Sequence, residues 1–266
     1  MTNSELVQRT DCDGVAVVML NAPESINALS EAILEALCAE FDRIAADRSV
    51  KAVILRSAGR HFCAGHNLKE MTARREDADG GFQYFQDLFA TCSSMMQRIV
   101  NLPQPVIAEV KGIATAAGCQ LVASCDLAVA SDDATFATSG VNIGLFCSTP
   151  MVALSRNVHR KFAMEMLLMG EFLSAGRVAE MGLLNRVVPR EELEGAAMGL
   201  ARVIADKSPA AVKIGKRAFY EQAEMTLADA YTYAGRVMAE NMMATDAEVG
   251  IGAFTRKEPM PTWTGM

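Results

Sequence analysis

Aromatic residues and long apolar runs are scarce in this sequence. The few aromatic residues exclude an aromatic-rich core, and the short apolar runs exclude a membrane-spanning helix. Only 6% of the 266 residues are aromatic although 51% are hydrophobic, so the core must be built mainly from aliphatic side chains. No apolar stretch is long enough to cross a bilayer. The first residues carry neither the basic start nor the apolar segment of a secretory signal. We therefore expect a cytoplasmic protein without a membrane span.

The cysteines and histidines show no metal-binding pattern. There are seven cysteines and three histidines, with no CxxC pair and no spacing that suits zinc. An odd number of scattered cysteines favours free, buried thiols in a reducing compartment. We expect no metal and no resident cofactor.

The net charge of −7 bears on which molecules this protein can bind. An acidic protein is a poor match for nucleic acid, so none is expected. The charge leaves room for a small phosphorylated ligand, which a few local cations can hold. A dinucleotide-binding Rossmann protein is disfavoured because no G-x-G-x-x-G with a later acidic residue follows a predicted strand.

Strands and helices alternate in the first part of the sequence, and helices dominate from about residue 160. This order predicts an α/β core at residues 1–200 and a helical C-terminal region at residues 201–266. Predicted strands lie at residues 14–20, 51–57, 105–110 and 127–130, and long predicted helices lie at residues 30–46 and 81–101.

Residues 105–126 are the most informative segment. A strand leads through small residues into an apolar helix, so a ligand can approach the backbone closely. The first amides of that helix have no intrahelical acceptor and carry the positive end of the helix dipole. Such amides can stabilise a carbonyl oxygen that becomes negative. Gln120 lies beside them and can hydrogen-bond, but it cannot titrate.

Three segments together resemble the crotonase superfamily, and in particular its enoyl-CoA hydratase/isomerase members. They are residues 61–70 (HFCAGHNLKE), residues 112–126, and residues 162–170 with the SA and GL pairs that follow at 174–175 and 182–183. The sequence of residues 114–126 most resembles the subgroup of proteins described as enoyl-CoA hydratase domain-containing. The resemblance implies an α/β spiral of ββα units with a C-terminal helical region for trimerisation. It also implies homotrimers or hexamers, and acyl-CoA thioesters as substrates with coenzyme A as part of the substrate.

The resemblance also implies a set of site residues. It places the two amides that hold the thioester oxygen on Ala64 and Ala117, where the family usually has glycine at the second position. If that position needed a positive φ, the Cβ of Ala117 would strain it. The other residues implied in substrate or coenzyme A contacts are Gly65, His66, Asn67, Lys69, Phe254 and Lys257.

Both glutamates that handle water in the family's hydratases are absent. Gln120 and Gly140 occupy their positions, and neither side chain can carry a proton. Losing one general acid or base typically costs about 100- to 10,000-fold in rate, so efficient hydration is not expected. Asn142 is the first replacement considered, and Ser139, His66 and the thiol of Cys147 remain alternatives.

Two functional classes therefore stay open. The chain is either an enzyme that acts on the thioester through groups other than the usual glutamates, or a catalytically weak or silent acyl-CoA-binding protein. The two amides favour the enzyme, because binding alone does not require oxyanion donors. The missing carboxylates favour the binding protein.

Overall fold

The structure, a computed structural model, describes residues 6–266. Its strands are β1 (Val7–Cys12), β2 (Val15–Leu20), β3 (Ala52–Ser57), β4 (Val106–Val110), β5 (Ile113–Thr115), β6 (Leu127–Ser131), β7 (Thr135–Ala137), β8 (Leu173–Ser174) and β9 (Arg186–Val188). A six-stranded sheet has the order β1-β2-β3-β4-β6-β9, and a three-stranded sheet has the order β5-β7-β8. In the larger sheet every pair is parallel except the β1–β2 hairpin.

The helices are α1 (Glu31–Ala46), α2 (Leu68–Ala73), α3 (Phe82–Asn101), α4 (Ala117–Ser124), α5 (Ser148–Asn157), α6 (Arg160–Met169), α7 (Ala175–Glu180), α8 (Leu193–Ala205), α9 (Pro209–Gln222), α10 (Leu227–Met242) and α11 (Thr245–Arg256). Four begin at a capping serine or threonine. The hydroxyls of Ser30, Ser174, Ser208 and Thr226 each accept a hydrogen bond from an amide of the first helical turn. These contacts fix the starts of α1, α7, α9 and α10, and the mixed α/β class predicted from the sequence is confirmed.

The larger sheet is buried on both faces. One face belongs to the main core with α1, α3 and α4, and the other packs against α8 through Leu193, Ala197, Ala201 and Ala205. Parallel strands covered on both sides are expected to be largely apolar. β2 is apolar throughout, whereas β3 ends in Arg56 and Ser57 and β4 contains the buried Glu109. The predicted boundary between residues 200 and 201 falls inside α8. The core therefore extends to Ala205, because the buried face of α8 belongs to the sheet.

The last three helices form a separate layer. No residue of α9 or α10 is buried as a whole within the single chain, although the side chain of Lys216 in α9 is only 6% exposed. Large apolar side chains are instead exposed, including Phe219, Leu227, Tyr231 and Met238. Within residues 6–266 no helix combines the length and hydropathy needed to span a bilayer.

Candidate functional site

The loop at residues 61–66 is bound to the strand that precedes α4. The amides of Phe62 and Cys63 both donate to the carbonyl of Ile113 at 3.0 Å, and the amide of Thr115 donates back to Cys63 at 3.0 Å. Gly118, in the first turn of α4, lies directly against the same Cys63 carbonyl, where a Cβ would overlap the oxygen. The glycine therefore allows the helix start to lie against the loop.

Gly65 completes this contact. Its φ of +92° is a conformation that L residues rarely adopt, and a Cβ there would lie 3.0 Å from the Cβ of Ala116 and 3.3 Å from the amide nitrogen of Ala117. The HFCAGHN segment and the start of α4 thus share one compact junction.

The strained residue at this junction is Ala116. Its φ and ψ are 50° and −118°, a conformation that costs a non-glycine residue about 1–3 kcal/mol. Its amide donates to the carbonyl of Ala137 at 2.9 Å, which ties the junction to β7. Ala117 is the first helical residue and does not have a positive φ, so its Cβ is tolerated.

The amide of Ala64 is not a free donor, which corrects the prediction for that residue. It donates to the carbonyl of Ile26 at 3.0 Å. Three residues after Ile26, the carbonyl of Leu29 accepts from the amide of Asn67 at 3.4 Å, and its amide donates to the carbonyl of Gly65 at 2.7 Å. Leu29 and His66 form a parallel bridge in which Leu29 bonds to the neighbours of His66. The backbone N–H and C=O of His66 therefore point away from Leu29. Among residues 6–266 the backbone amides of His66 and Ala117 have no acceptor.

Gln120 lies one turn after Ala117 on the same face of α4. It is only 4% exposed, and within the described part of the chain its Oε1 has no hydrogen-bond partner. Residues three apart in a helix share a face, so Gln120 lies one turn from the amide of Ala117.

The imidazole of His66 is partly buried and packs edge-on against the ring of Phe89, with centroids 5.5 Å apart. Neither ring nitrogen has a partner among the described residues. Burial lowers the pKa of His66, because the charged form loses solvation. The ring is therefore neutral at pH 7, with one donor and one acceptor nitrogen.

Gly140 has no room for a side chain. A Cβ at this position would overlap the carbonyl oxygen of Leu145 and lie 2.9 Å from the Sγ of Cys147. The position is closed because the chain turns back on itself, with the amide of Leu145 donating to Gly140 at 2.9 Å. Burial raises the pKa of the Cys147 thiol, which disfavours the nucleophilic thiolate.

Asn142 and Ser139 are engaged elsewhere. Asn142 is exposed and donates from Nδ2 to the carbonyl of Gly170 at 2.9 Å, at the end of α6. That contact engages the Nδ2 of Asn142 at the end of α6, and its role as a replacement for a glutamate stays a prediction. The hydroxyl of Ser139 lies 2.9 Å from that of Thr115.

The residues predicted to bind coenzyme A are only partly brought together. Asn67 caps α2, because its Oδ1 accepts from the Lys69 amide at 3.1 Å while its Nδ2 donates to Glu70. Its side chain is therefore not a free ligand. Lys69 is exposed. Phe254 and Lys257 are exposed at the end of α11, which packs against α9 and α10. Their predicted contact with a neighbouring subunit's coenzyme A stays a prediction.

The described residues 6–266 contain no group of three or more histidine, cysteine or acidic side chains arranged to hold a metal ion.

Comparison with known proteins decides the family. The family description "enoyl-CoA hydratase/isomerase" matches residues 10–265. The chain belongs to this family. The mitochondrial enoyl-CoA hydratase domain-containing protein 3 of rat is 46% identical over 252 residues, covering 95% of this chain and 82% of that protein. A probable enoyl-CoA hydratase of Rhizobium meliloti is 30% identical over 91% of this chain and 92% of its own length.

Solved structures agree with the family and confirm the predicted fold. An enoyl-CoA hydratase of Mycobacterium smegmatis superposes with a TM-score of 0.92 at 51% identity, covering 97% of this chain and 98% of that chain. Human enoyl-CoA hydratase domain-containing protein 3 superposes with a TM-score of 0.91 at 44% identity, covering 96% of this chain and 99% of that chain. The crotonase architecture and the resemblance to this subgroup are both confirmed.

The expected cytoplasmic location is contradicted. Relatives from rat, mouse, frog, human and zebrafish are all named as mitochondrial proteins. The missing secretory signal could not separate these two compartments, because it bears only on export.

Proposed function

We propose that this protein binds acyl-CoA thioesters and polarises the thioester carbonyl between the backbone amides of His66 and Ala117. The observation that carries the proposal is that these two amides have no acceptor and belong to segments that meet at one compact junction. A dry site with two fixed donors can lower the barrier to an enolate or oxyanion by several kcal/mol. His66 takes the role that the sequence alone gave to Ala64.

The reaction we assign is one that passes through the thioester enolate or oxyanion, and efficient hydration is excluded from it. Gln120 and Gly140 offer no titratable group, and Gly140 offers no space for one. His66 is the histidine at the junction, and we assign its neutral imidazole as the acceptor of a proton from the substrate.

A second candidate is an acyl-CoA-binding protein without chemistry of its own. The closed position at Gly140 and the engagement of Asn142 Nδ2 at the end of α6 favour it, since both limit the routes to a replacement acid or base. Turnover of a thioester substrate separates the two candidates.

We also propose a homo-oligomer, because α9 and α10 expose an apolar surface that a single chain leaves uncovered. A trimer or a hexamer would cover it and bring α11 to a neighbouring site. The compartment we propose is the mitochondrion named for the vertebrate relatives.

The test is the infrared carbonyl frequency of a bound, carbonyl-labelled acyl-CoA. The native protein should lower this frequency, and Ala117→Pro should abolish the shift. Proline fits the first position of a helix and removes only an amide that lacks an intrahelical acceptor. Arg160→Pro, at the first position of α6, is the matched control and should keep the shift.

Thermal melting must show that both variants fold. An unshifted carbonyl in the native protein, or an unchanged shift in folded Ala117→Pro, contradicts the assigned amide pair.

A further inference from the structure

We propose that a cleft between α9 and the end of α3 binds a small amphipathic anion, with a carboxylate or phosphate head group on an apolar body. The cleft has a volume of about 360 Å³, within the range of pockets that hold small ligands. None of the residues that line it belongs to the junction between the HFCAGHN loop and α4. The cleft is therefore distinct from the site assigned to acyl-CoA.

One wall of the cleft is a face of α9. Lys213, Arg217 and Glu221 are spaced four residues apart, so they lie on the same side of the helix, with Tyr220 beside them. Lys213 is exposed and has no hydrogen bond or ion pair with any of residues 6–266. Arg217 donates from Nε to Glu221 at 2.7 Å, and its two terminal nitrogens have no partner in the same part of the chain. Two cations thus retain free donors at the cleft.

The carboxylate in this wall does not cancel both cations. Glu221 accepts from Arg217 through Oε1 and from the hydroxyl of Tyr233 through Oε2, so both of its oxygens are engaged. The lining side chains carry two positive charges and one negative charge. A carboxylate or phosphate that enters the cleft can accept charge-assisted hydrogen bonds from Lys213 and Arg217, which are stronger than bonds between neutral groups.

The opposite wall is mainly apolar and is held in place. It consists of residues 100–103, of which three are apolar, and Leu102 is only 3% exposed. Lys216 Nζ donates to the carbonyls of Ile99 and Gln104 at 2.9 Å and 3.1 Å, which keeps α9 beside this segment. The bond to Ile99 also engages a carbonyl in the last turn of α3, where the helix dipole would otherwise disfavour an anion.

The two walls define the two parts of the ligand. The head group meets Lys213 and Arg217, and the body packs on Leu102 and Pro103. A water molecule occupies about 30 Å³ in the liquid, so the cleft accommodates roughly a dozen non-hydrogen atoms. A carboxylate or a phosphate monoester with a chain of about eight carbons has this size.

Calorimetry on the intact chain tests the site with four compounds. Octanoate and octyl phosphate carry both parts, whereas octanol lacks the charge and acetate lacks the apolar body. We expect at least one of the two amphipathic anions to bind about tenfold more tightly than octanol and acetate. The tighter of the two identifies the head group. Lys213→Gln should weaken that binding by about fivefold, because it removes one exposed positive charge.

The matched control is Lys207→Gln, the same substitution at an exposed lysine between α8 and α9 that does not line the cleft. It should keep the native affinity. No saturable binding of either anion, or equal affinity for the anions and octanol, overturns the assignment. An equal loss in the Lys207 and Lys213 variants would reveal a general effect of charge and overturns it as well. Displacement of the anion by butyryl-CoA would place the anion in the acyl-CoA site and likewise contradicts a separate cleft site.

Discussion

The first turn of α4 lies directly against the backbone of the HFCAGHN loop, with Gly118 in contact with the carbonyl of Cys63. Gly118→Ala should therefore push the loop and the helix apart. Forced overpacking costs about 1–3 kcal/mol, and the separation should also weaken acyl-CoA polarisation. Denaturant unfolding and the carbonyl frequency of the bound ligand measure the two effects.

The control for this variant is Gly199→Ala in the exposed interior of α8, where a Cβ meets nothing within 4 Å. It should stabilise the protein by about 0.5–1 kcal/mol, because alanine loses less backbone freedom than glycine on folding. Equal behaviour of the two variants would show that the contact at Cys63 places no constraint on the site.

The two segments singled out in the sequence meet in the structure, but the amide of Ala64 assigned there is already engaged. The family resemblance pointed to residues 61–70 and Ala117, yet it did not reveal that Ala64 donates to Ile26. The direction of each amide depends on the bridge between Leu29 and His66, which joins residues far apart in sequence. The contact from Asn142 to Gly170 was hidden for the same reason.

The longer apolar strands were predicted, whereas polar or very short strands were missed. β2, β3 and β4 appear as apolar runs and were predicted within one residue or so. β1 was missed because Val7–Cys12 is an edge strand with a mostly polar sequence. β8 and β9 are two and three residues long, so their pairing is set by tertiary contacts and leaves little pattern in the sequence.

Restoring the family's glutamates should not restore hydration. Gln120→Glu should fold and still bind crotonyl-CoA, whereas Gly140→Glu should be destabilised by overlap with the Leu145 carbonyl. We expect the native protein, both single variants and the double variant to turn over crotonyl-CoA well below about 1 per second, a rate at the low end for enzymes. Loss of enone absorbance measures it. Faster turnover by the native protein would reveal an acid–base pair, with His66 the first residue to replace.

A buried ion pair should hold α9 to the core. Lys216 Nζ lies 2.6 Å from Asp126 Oδ2 and also donates to the carbonyl of Ile99 at 2.9 Å. The Lys216 side chain is only 6% exposed. Lys216→Met leaves the Asp126 carboxylate without its counter-ion, and breaking a buried pair in this way typically costs about 3–5 kcal/mol.

A second substitution, Asp126→Asn, should restore part of the stability that Lys216→Met loses. Lys216→Met with Asp126→Asn should lose less than the sum of the two single variants, because no uncompensated charge remains. Arg217→Met, one residue along on the exposed side of α9, should change unfolding little. Additive losses in the double variant would argue against a direct energetic coupling between Lys216 and Asp126.

The acid dependence of stability should be visible at Asp246, which anchors the C-terminal residues to the start of α9. Burial opposes the charge of this carboxylate, but hydrogen bonds from Ser208, Thr264 and Gly265 outweigh it and lower its pKa from 3.8 to about 2. A lowered pKa means that the folded state prefers the ionised form. The stabilisation is therefore complete above about pH 4 and is lost as the pH falls toward 2.

Asp246→Asn should unfold more easily at pH 7, by about 1.5–3 kcal/mol for hydrogen bonds to a charged group. Its deficit relative to the native protein should shrink on acidification through that window. Because other carboxylates titrate equally in both proteins, the difference between their unfolding free energies isolates Asp246. A deficit that stays constant from pH 7 to pH 2.5 would mean that the charge of Asp246 contributes nothing to holding the C-terminal residues.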